Sequence, residues 1–447
     1  MAENKKTRVI RDPIHDLIIF ENNETDQLLI DLINTEEFQR LRRIKQLGFS
    51  DMVFPGANHS RFAHSIGVMA MARKFLDALQ RNHESKVSIE TRTLVLVTCL
   101  LHDVGHGPFS HTFEGITKGI TKHESHEDWT KEIVTSKETE IGRRLSEFPK
   151  KGLPEAVRDF LEHVSTPSWS VDPVFSHIVS SQLDADRFDF LLRDAYSTGA
   201  LYGQYDPEWL IEHLRIDNSE SRFYLDHKGV EAAEMYVYAR YHMYFAVYFH
   251  KTTRAAEVML KSMFERFKFL LSQNSSTAFD LVPNAPKHLV RAFMGQMKLE
   301  EYLLLDDFTV WEFLKACKSS EDPILSDIAS ALLKRKLWKA VDMTHADTTG
   351  KESHKKFERA EKYIRSQGFD PEYYLPEDKI TSIPYKPYVG GGESEERSIF
   401  CQKTASHPIV EISSFSEPIK ALTSNVKRLR YYAPEKCIVE IRKIFAP

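Results

Sequence analysis

The chain has 447 residues, 60 Lys and Arg against 65 Asp and Glu, a net charge of −5 and 4 Cys. Such a length predicts two or three packed units, and the negative balance excludes a general attraction to nucleic acid or anionic lipid. Cys99, Cys317, Cys401 and Cys437 form no CxxC pair, which excludes a disulfide framework or zinc knuckle and fits a reducing cytoplasm. The N-terminal MAENKKTRVIRDPIHD lacks the apolar core of a signal peptide. Residues 26–48 then read as helix, with Leu28, Leu29, Leu32, Ile33, Phe38 and Leu41 on one face and Asn34-Thr35 before Glu36-Glu37 as a helix start. A loop over 51–60 contains Pro55-Gly56, and a helix over 61–81 buries Phe62, Ile66, Met69 and Leu76. Ser88 caps a helix over 88–103, whose apolar run at 94–101 is too short to span a bilayer. After a Gly/Pro break at 105–111, further helices are expected over 172–196 and 230–271. Residues 340–380 are charged and loosely patterned, 383–387 and 390–393 read as flexible, 399–403 and 408–412 as short strands, and 419–426 as a short helix. The expected fold is mainly α: a helical catalytic core (1–270), a helical extension (271–380) and a small α+β C-terminal region (381–447).

The densest polar cluster, His102-Asp103-Val-Gly-His106-Gly-Pro-Phe-Ser-His111, follows directly on the apolar helix. Adjacent His and Asp offer one nitrogen and one oxygen to a common point, a donor set that suits Mn, Mg, Fe, Ni or Zn. Two protein ligands rarely hold a metal; His64 on the preceding helix and the acid-rich stretch at 183–194 supply more. A lone histidine is more often a capping or surface residue, but buried His and Asp together need partners to offset desolvation, and a shared metal is one.

The order His64, His102-Asp103, Asp186 resembles the H…HD…D signature of the HD-domain phosphohydrolases. RLRRIKQLG (40–48), VFPGANHSRFAHSIGV (53–68), LLHDVGHGPFSHTFE (100–114) and DADRFDFLLRD (184–194) are similar to the deoxynucleoside triphosphate triphosphohydrolases within that superfamily, and KRLRYYAP (427–434) resembles the C-terminal motif of its bacterial members. The resemblance implies an HD-domain core and a divalent metal held by His64, His102, Asp103 and Asp186. It implies catalytic work by His106, His111, Glu114, His126 and Glu127. His111 and Glu114 are three apart and share a helix face, so His111 would protonate the leaving sugar oxygen while Glu114 orients its ring. His123-Glu124 is a second alignment for His126-Glu127; the latter is preferred because Thr130 then stands where the family has a hydroxyl residue.

By the same resemblance Arg61, Arg187, Arg240 and Lys251 contact phosphate, although each alone reads as an ordinary surface charge. Tyr248 and Leu47 floor the sugar and leave no room for a 2′-hydroxyl, Gln46 and Asp194 meet the 3′-hydroxyl, and Phe190 replaces a family Tyr. Most other aromatics of 236–251 read as core. The implied reaction is dNTP plus water to deoxynucleoside plus triphosphate. Val9, Gln39 and Arg42 match a regulatory nucleotide site; Asn34 stands there where guanine-reading relatives carry an acid, and it also reads as a helix N-cap. Partners implied are the dNTP substrate, an activator nucleotide and further copies of the chain in a dimer or tetramer, with no membrane and with nucleic acid disfavoured. The role would be dNTP depletion, in antiviral defence or housekeeping. The rival readings are another HD phosphohydrolase, acting on cyclic dinucleotides, alarmones or nucleoside monophosphates, and a nucleotide-sensing or nucleic-acid-binding module.

Overall fold

The chain opens with a hairpin of β1 (Arg8–Asp12) and β2 (Asp16–Phe20), paired antiparallel from Arg8 with Phe20 to Asp12 with Asp16. Ile18 and Phe20 face the core, whereas Val9, Leu17 and Ile19 remain exposed. The computed structural model describes residues 7–82, 87–164, 169–273, 282–343, 351–382, 385, 398–424 and 426–446.

The helical stretch expected over 26–48 is divided at Asn34-Thr35, where a helix start is read. α1 (Glu24–Ile33) closes at Asn34, whose side-chain amide donates to the Ile30 carbonyl, and α2 (Glu36–Arg40) starts on Thr35, whose hydroxyl accepts from the Phe38 amide. Thr35 is therefore the N-cap, and Asn34 is a C-cap. α3 (Arg61–Asn82) and α4 (Ile89–Leu101) follow as expected, with the Ser88 side chain accepting from the Thr91 amide. Residues Leu94 through Leu101 are all buried, so α4 is apolar on every side and runs through the core.

The chain continues through α5 (His111–Thr117), α6 (His126–Thr135), α7 (Glu140–Glu147) and α8 (Leu153–Leu161). Residues 172–196 are not one helix: a 3₁₀ segment, Pro173–Ile178, precedes α9 (Ala185–Thr198), which begins at Asp184 because that carboxylate accepts from the Arg187 amide. After α10 (Pro207–Glu212), β3 (Leu214–Asp217) and β4 (Arg222–Leu225), the expected 230–271 helix divides into α11 (Val230–Met243), a π turn over Tyr244–Tyr248, and α12 (Lys251–Gln273). A π turn inserts a residue into the helical repeat and re-aims the side chains it carries.

Beyond α12, short helices precede β5 (Lys339–Asp342), and the charged 340–380 stretch holds the helix Lys351–Ser366 and β6 (Glu377–Ser382). β7 (Phe400–Gln402) and β8 (Ile409–Glu411) match the expected strands. The expected 419–426 helix ends early, as Glu417–Ala421, and β9 (Val426–Ala433) follows it. Of the two stretches read as flexible, only Tyr385 lies within the described residues. β7 and β8 complete a four-stranded sheet in the order β3-β4-β7-β8, while β9 lies between β5 and β6 in an antiparallel sheet.

Buried side chains form two cores. One joins the hairpin, α1 to α4 and α6 to α11 with Ile399, Cys401, Ile412 and Ile419. The other joins Phe49, Phe109, Phe113 and Trp129 to α12, much of 282–375 and Tyr432 to Phe445. Each such Leu, Ile or Phe contributes roughly 1.5–3 kcal/mol of burial. No helix among the described residues is long and apolar enough to cross a membrane.

Candidate metal centre and cleft

His102 caps the buried end of α4, and its Nδ1 donates to the Cys99 carbonyl at 2.8 Å. His64, one turn into α3, has its Nδ1 2.8 Å from Asp189 Oδ2 on α9. Those bonds hold a proton on each Nδ1 and leave each Nε2 as the ring nitrogen available to a metal. The rings lie 5.4 Å apart at 75°. His64 Nε2 is 3.0 Å from Asp186 Oδ1 and 3.8 Å from Asp103 Oδ2, and His102 Nε2 is 3.4 Å from Asp103 Oδ1 and 3.7 Å from Asp186 Oδ1. Both Nε2 atoms are buried without a hydrogen bond of sound geometry. Ligand atoms of His64, His102 and Asp103 lie within 4.8 Å of one another. Two orphaned imidazole nitrogens facing two carboxylates fit a divalent cation.

Charge sharpens that fit. Burial works against the charged form of His64, but Asp186 and Asp189 outweigh it and carry the imidazole up to about 10. Burial likewise works against ionised Asp103, yet His102, His106 and Arg61 hold its carboxyl well below the usual range. The site concentrates anionic oxygen around nitrogens that hold protons until a cation replaces them. Gly67 makes this packing possible: a Cβ there would sit 2.0 Å from Asp189 Oδ1 and 2.3 Å from Arg193 Nη2.

A second cluster shares Asp103. His106 Nε2 is 3.2 Å from Asp103 Oδ1, and the His106 and His126 rings stack at 3.7 Å and 15°. Ligand atoms of Asp103, His106 and His126 also fall within 4.8 Å. Nearly parallel rings cannot aim both lone pairs at one ion, so this pair suits phosphate contact and proton transfer. Burial, reinforced by Arg61, pushes the His106 imidazole well below its ordinary value and keeps it neutral. Glu114 Oε1 accepts from the His126 amide at 3.2 Å and lies 3.5 Å from its Nδ1.

Arg61 connects these clusters to an open cleft of about 810 Å³. Its Nη1 donates to Asp103 Oδ2 at 2.5 Å, and Nε and Nη2 donate to Ser110 Oγ at 3.1 and 2.7 Å. Gln46, Leu47, Arg61, Phe190, Asp194 and Tyr248 all line that cleft. Phe109 and Ser110, with φ of 50° and 44°, bend the chain sharply before α5. Non-glycine residues there cost of order 1–3 kcal/mol each and persist only where neighbours enforce them. Here Asp307 Oδ1 accepts from the Phe109 amide at 2.9 Å, and Phe109 packs on Phe49 with ring centroids 4.3 Å apart.

An HD domain matches residues 61–173, and an HD associated region matches 205–294. The chain is 36% identical over 416 residues to the uncharacterized protein YwfO of Bacillus subtilis, covering 93% of this chain and 89% of that one. The chain belongs to the HD-domain phosphohydrolase family. The deoxynucleoside triphosphate triphosphohydrolase SAMHD1 of Danio rerio is 27% identical over 473 residues, covering 98% of this chain and 70% of its own. A phosphohydrolase structure from Bacteroides thetaiotaomicron superposes with a TM-score of 0.78 at 27% identity, covering 96% of this chain and 100% of its own.

Among the described side chains, the remaining expected residues of this HD-domain protein fall outside the cleft lining. Arg187 ion-pairs with Asp184, Arg240 donates to the Gln182 side chain, Lys251 is exposed at the start of α12, and Glu127 is exposed on α6. His123 pairs with Glu132 and packs edge-on against Trp129 rather than joining His106. The His111 side chain lies outside the described residues. Gln39 Nε2 donates to the Ile33 carbonyl, Arg42 Nε donates to Gln39 Oε1 at 2.8 Å, and Asn34 caps α1 beside them; Val9 is exposed on β1.

Several residues of the site carry no motif that singles them out. Asp189 is fully buried and receives His64, His15 and Arg193; His59 Nε2 lies 2.7 Å from Asp194 Oδ1; Asp307 ties the bend at Phe109 to the second core. The one local signal was Asp189 three residues after Asp186 and four before Arg193, on one face of α9.

Proposed function

We propose that this protein is a metal-dependent dNTP triphosphohydrolase that converts dNTP and water to deoxynucleoside and triphosphate. One observation carries the reading. Arg61 is bonded to the metal-site carboxylate Asp103 and also lines the cleft that Tyr248, Asp194, Gln46 and Leu47 share. A triphosphate lying along Arg61 would bring its α-phosphorus to the metal site and its sugar to Tyr248. Kinship to the zebrafish triphosphohydrolase supports the same substrate.

His64, His102, Asp103 and Asp186 would hold the ion. When bound, a divalent cation supplies Lewis acidity toward a phosphoryl oxygen and lowers the pKa of water. Arg61 neutralises phosphate charge, and neutral His106 donates to a phosphate oxygen. His111 would deliver a proton to the departing 5′-oxygen, and Glu114 anchors His126. Leu47 and Tyr248 leave a 2′-hydroxyl without space or partner. Asn34, Gln39 and Arg42 would receive an activator nucleotide at a contact between copies of the chain, and the reaction would deplete cytoplasmic dNTP pools.

The test is a nucleotide panel with Mn²⁺ or Mg²⁺: each dNTP singly and in pairs, the four NTPs, nucleoside monophosphates, alarmones and cyclic dinucleotides. Turnover confined to dNTPs, and stimulated in mixed pairs, is the expected outcome. Hydrolysis of a cyclic dinucleotide or monophosphate in preference to dNTPs overturns the assignment.

A further inference from the structure

The N-terminal hairpin reaches the metal centre through one buried carboxylate. Asp189 Oδ1 lies 2.7 Å from His15 Nε2 and accepts from Arg193 Nη2 at 2.8 Å; Oδ2 lies 2.8 Å from His64 Nδ1 and accepts from Arg193 Nε at 2.8 Å. Each oxygen therefore holds two donors. The side chains of His15, Asp189 and His64 are 2%, 0% and 0% exposed. Arg193 also grips Asp12, with Nη1 to Oδ2 at 2.9 Å and Nη2 to Oδ1 at 3.2 Å. Asp12 Oδ1 in turn accepts from the amides of Ile14 and His15 at 2.9 and 3.1 Å, which shapes the turn that presents His15.

We propose that His15 is a positioning residue for the metal centre: by filling one acceptor site of Asp189 it fixes the carboxylate that orients His64. The inference rests on the metal site proposed above. Asp12 and Asp189 set two carboxylates against the single guanidinium of Arg193, so the network leaves negative charge for the His64 Nδ1–H and makes Nε2 a better ligand. Without the His15 donor, Oδ1 keeps only Arg193, the carboxylate is free to rotate toward it, and the His64 ring loses its fixed plane. The hairpin gains this role because its outer residues Val9, Leu17 and Ile19 are exposed, which leaves the inner polar network and Ile18 and Phe20 to anchor it.

The experiment is Mn²⁺ titration of the full chain, followed by calorimetry and by the electron paramagnetic resonance signal of free ion, for wild type, His15→Leu, His15→Gln and His64→Ala. Melting of the metal-free proteins runs in parallel. Leu removes the donor, whereas Gln restores an N–H toward Asp189. The proposal expects His15→Leu to bind Mn²⁺ about 10–100-fold more weakly, His15→Gln to recover most of that loss, and both to remain cooperatively folded without metal. Wild-type affinity in His15→Leu overturns it, as does a Gln variant no better than Leu. If His15→Leu does not fold, Asp189→Asn decides: it keeps the shape and loses the charge, and unchanged Mn²⁺ affinity there overturns the proposal. Wild-type affinity in His64→Ala would instead refute the metal site itself.

Discussion

Tyr248 donates its hydroxyl to Asp194 Oδ2 at 2.7 Å, while His59 Nε2 lies 2.7 Å from the other oxygen of the same carboxylate. Burial, followed by Asp194 itself, pushes the Tyr248 phenol well above its ordinary value, so it stays a neutral donor. Phe190 meets the same ring at 6.2 Å, edge to face. The floor of the cleft is thus an aromatic plane pinned by a carboxylate.

Tyr248→Phe keeps the plane and removes the pin. A hydrogen bond to a charged group contributes about 1.5–3 kcal/mol, so kcat/KM for dNTPs should fall roughly ten- to a hundredfold while ribonucleotides remain excluded. Tyr248→Ala should lower the deoxy-to-ribo ratio of kcat/KM by at least about tenfold. Steady-state kinetics on paired dNTP and NTP substrates checks both, and a Tyr248→Ala enzyme with unchanged selectivity would remove Tyr248 from the sugar site.

Both Asp103→Ala and Asp186→Ala should abolish metal binding and turnover. They differ in stability. Asp103 neutralises Arg61, which is 5% exposed, and stranding a buried charge costs about 3–5 kcal/mol. Asp186 has a side chain 31% exposed and faces His64 and His102, so its loss costs less. Asp186→Ala is the cleaner test: it should fold normally by circular dichroism and carry no metal by elemental analysis. Metal retained at wild-type occupancy would exclude Asp186 from the ligand set.

Arg61→Ala should raise KM for dNTPs and slow turnover by about 10²-fold, as loss of a guanidinium on a transferring phosphoryl group does. It should leave the metal in place, since His64, His102, Asp103 and Asp186 remain. The variant also frees Ser110, so α5 would shift with it. Unchanged kinetics would exclude Arg61 from phosphate.

What the sequence disclosed follows from contact range. His102-Asp103 was legible because two ligand types sit together at the end of an apolar helix, and the 61–81 and 88–103 helices because their apolar spacing is uninterrupted. The helix start at Asn34-Thr35 was legible from its capping residues ahead of two acids, but the break before Asp184 was not, because one capping carboxylate overrides an apolar pattern that continues across it. His15 could not be placed at all: it meets Asp189 across 174 residues, and no local pattern encodes such a pairing. The resemblance matches Arg187 and Arg240 to phosphate contacts, and their protein partners Asp184 and Gln182, three residues and 58 residues away, show how differently local and distant pairings read in a sequence.

Burial pushes the Asp307 carboxyl up to about 6 from an ordinary 3.8, with the Lys45 and Phe109 amides pulling the other way. A carboxyl raised on folding stabilises the fold fully below 3.8, and that contribution is lost as pH rises to about 6. Relative to Asp307→Asn, the wild type should lose up to roughly 3 kcal/mol between pH 4 and 7. Thermal melting of both proteins across that range checks it; a wild-type advantage that grows with pH contradicts the assignment.

The central claim is that water attacks the α-phosphorus and the whole triphosphate leaves the sugar. Hydrolysis of a dNTP in ¹⁸O-labelled water, with mass analysis of both products, tests this most directly. The account predicts unlabelled deoxynucleoside and a triphosphate carrying one ¹⁸O. Release of monophosphate with pyrophosphate, or label in the 5′-hydroxyl of the nucleoside, would contradict it.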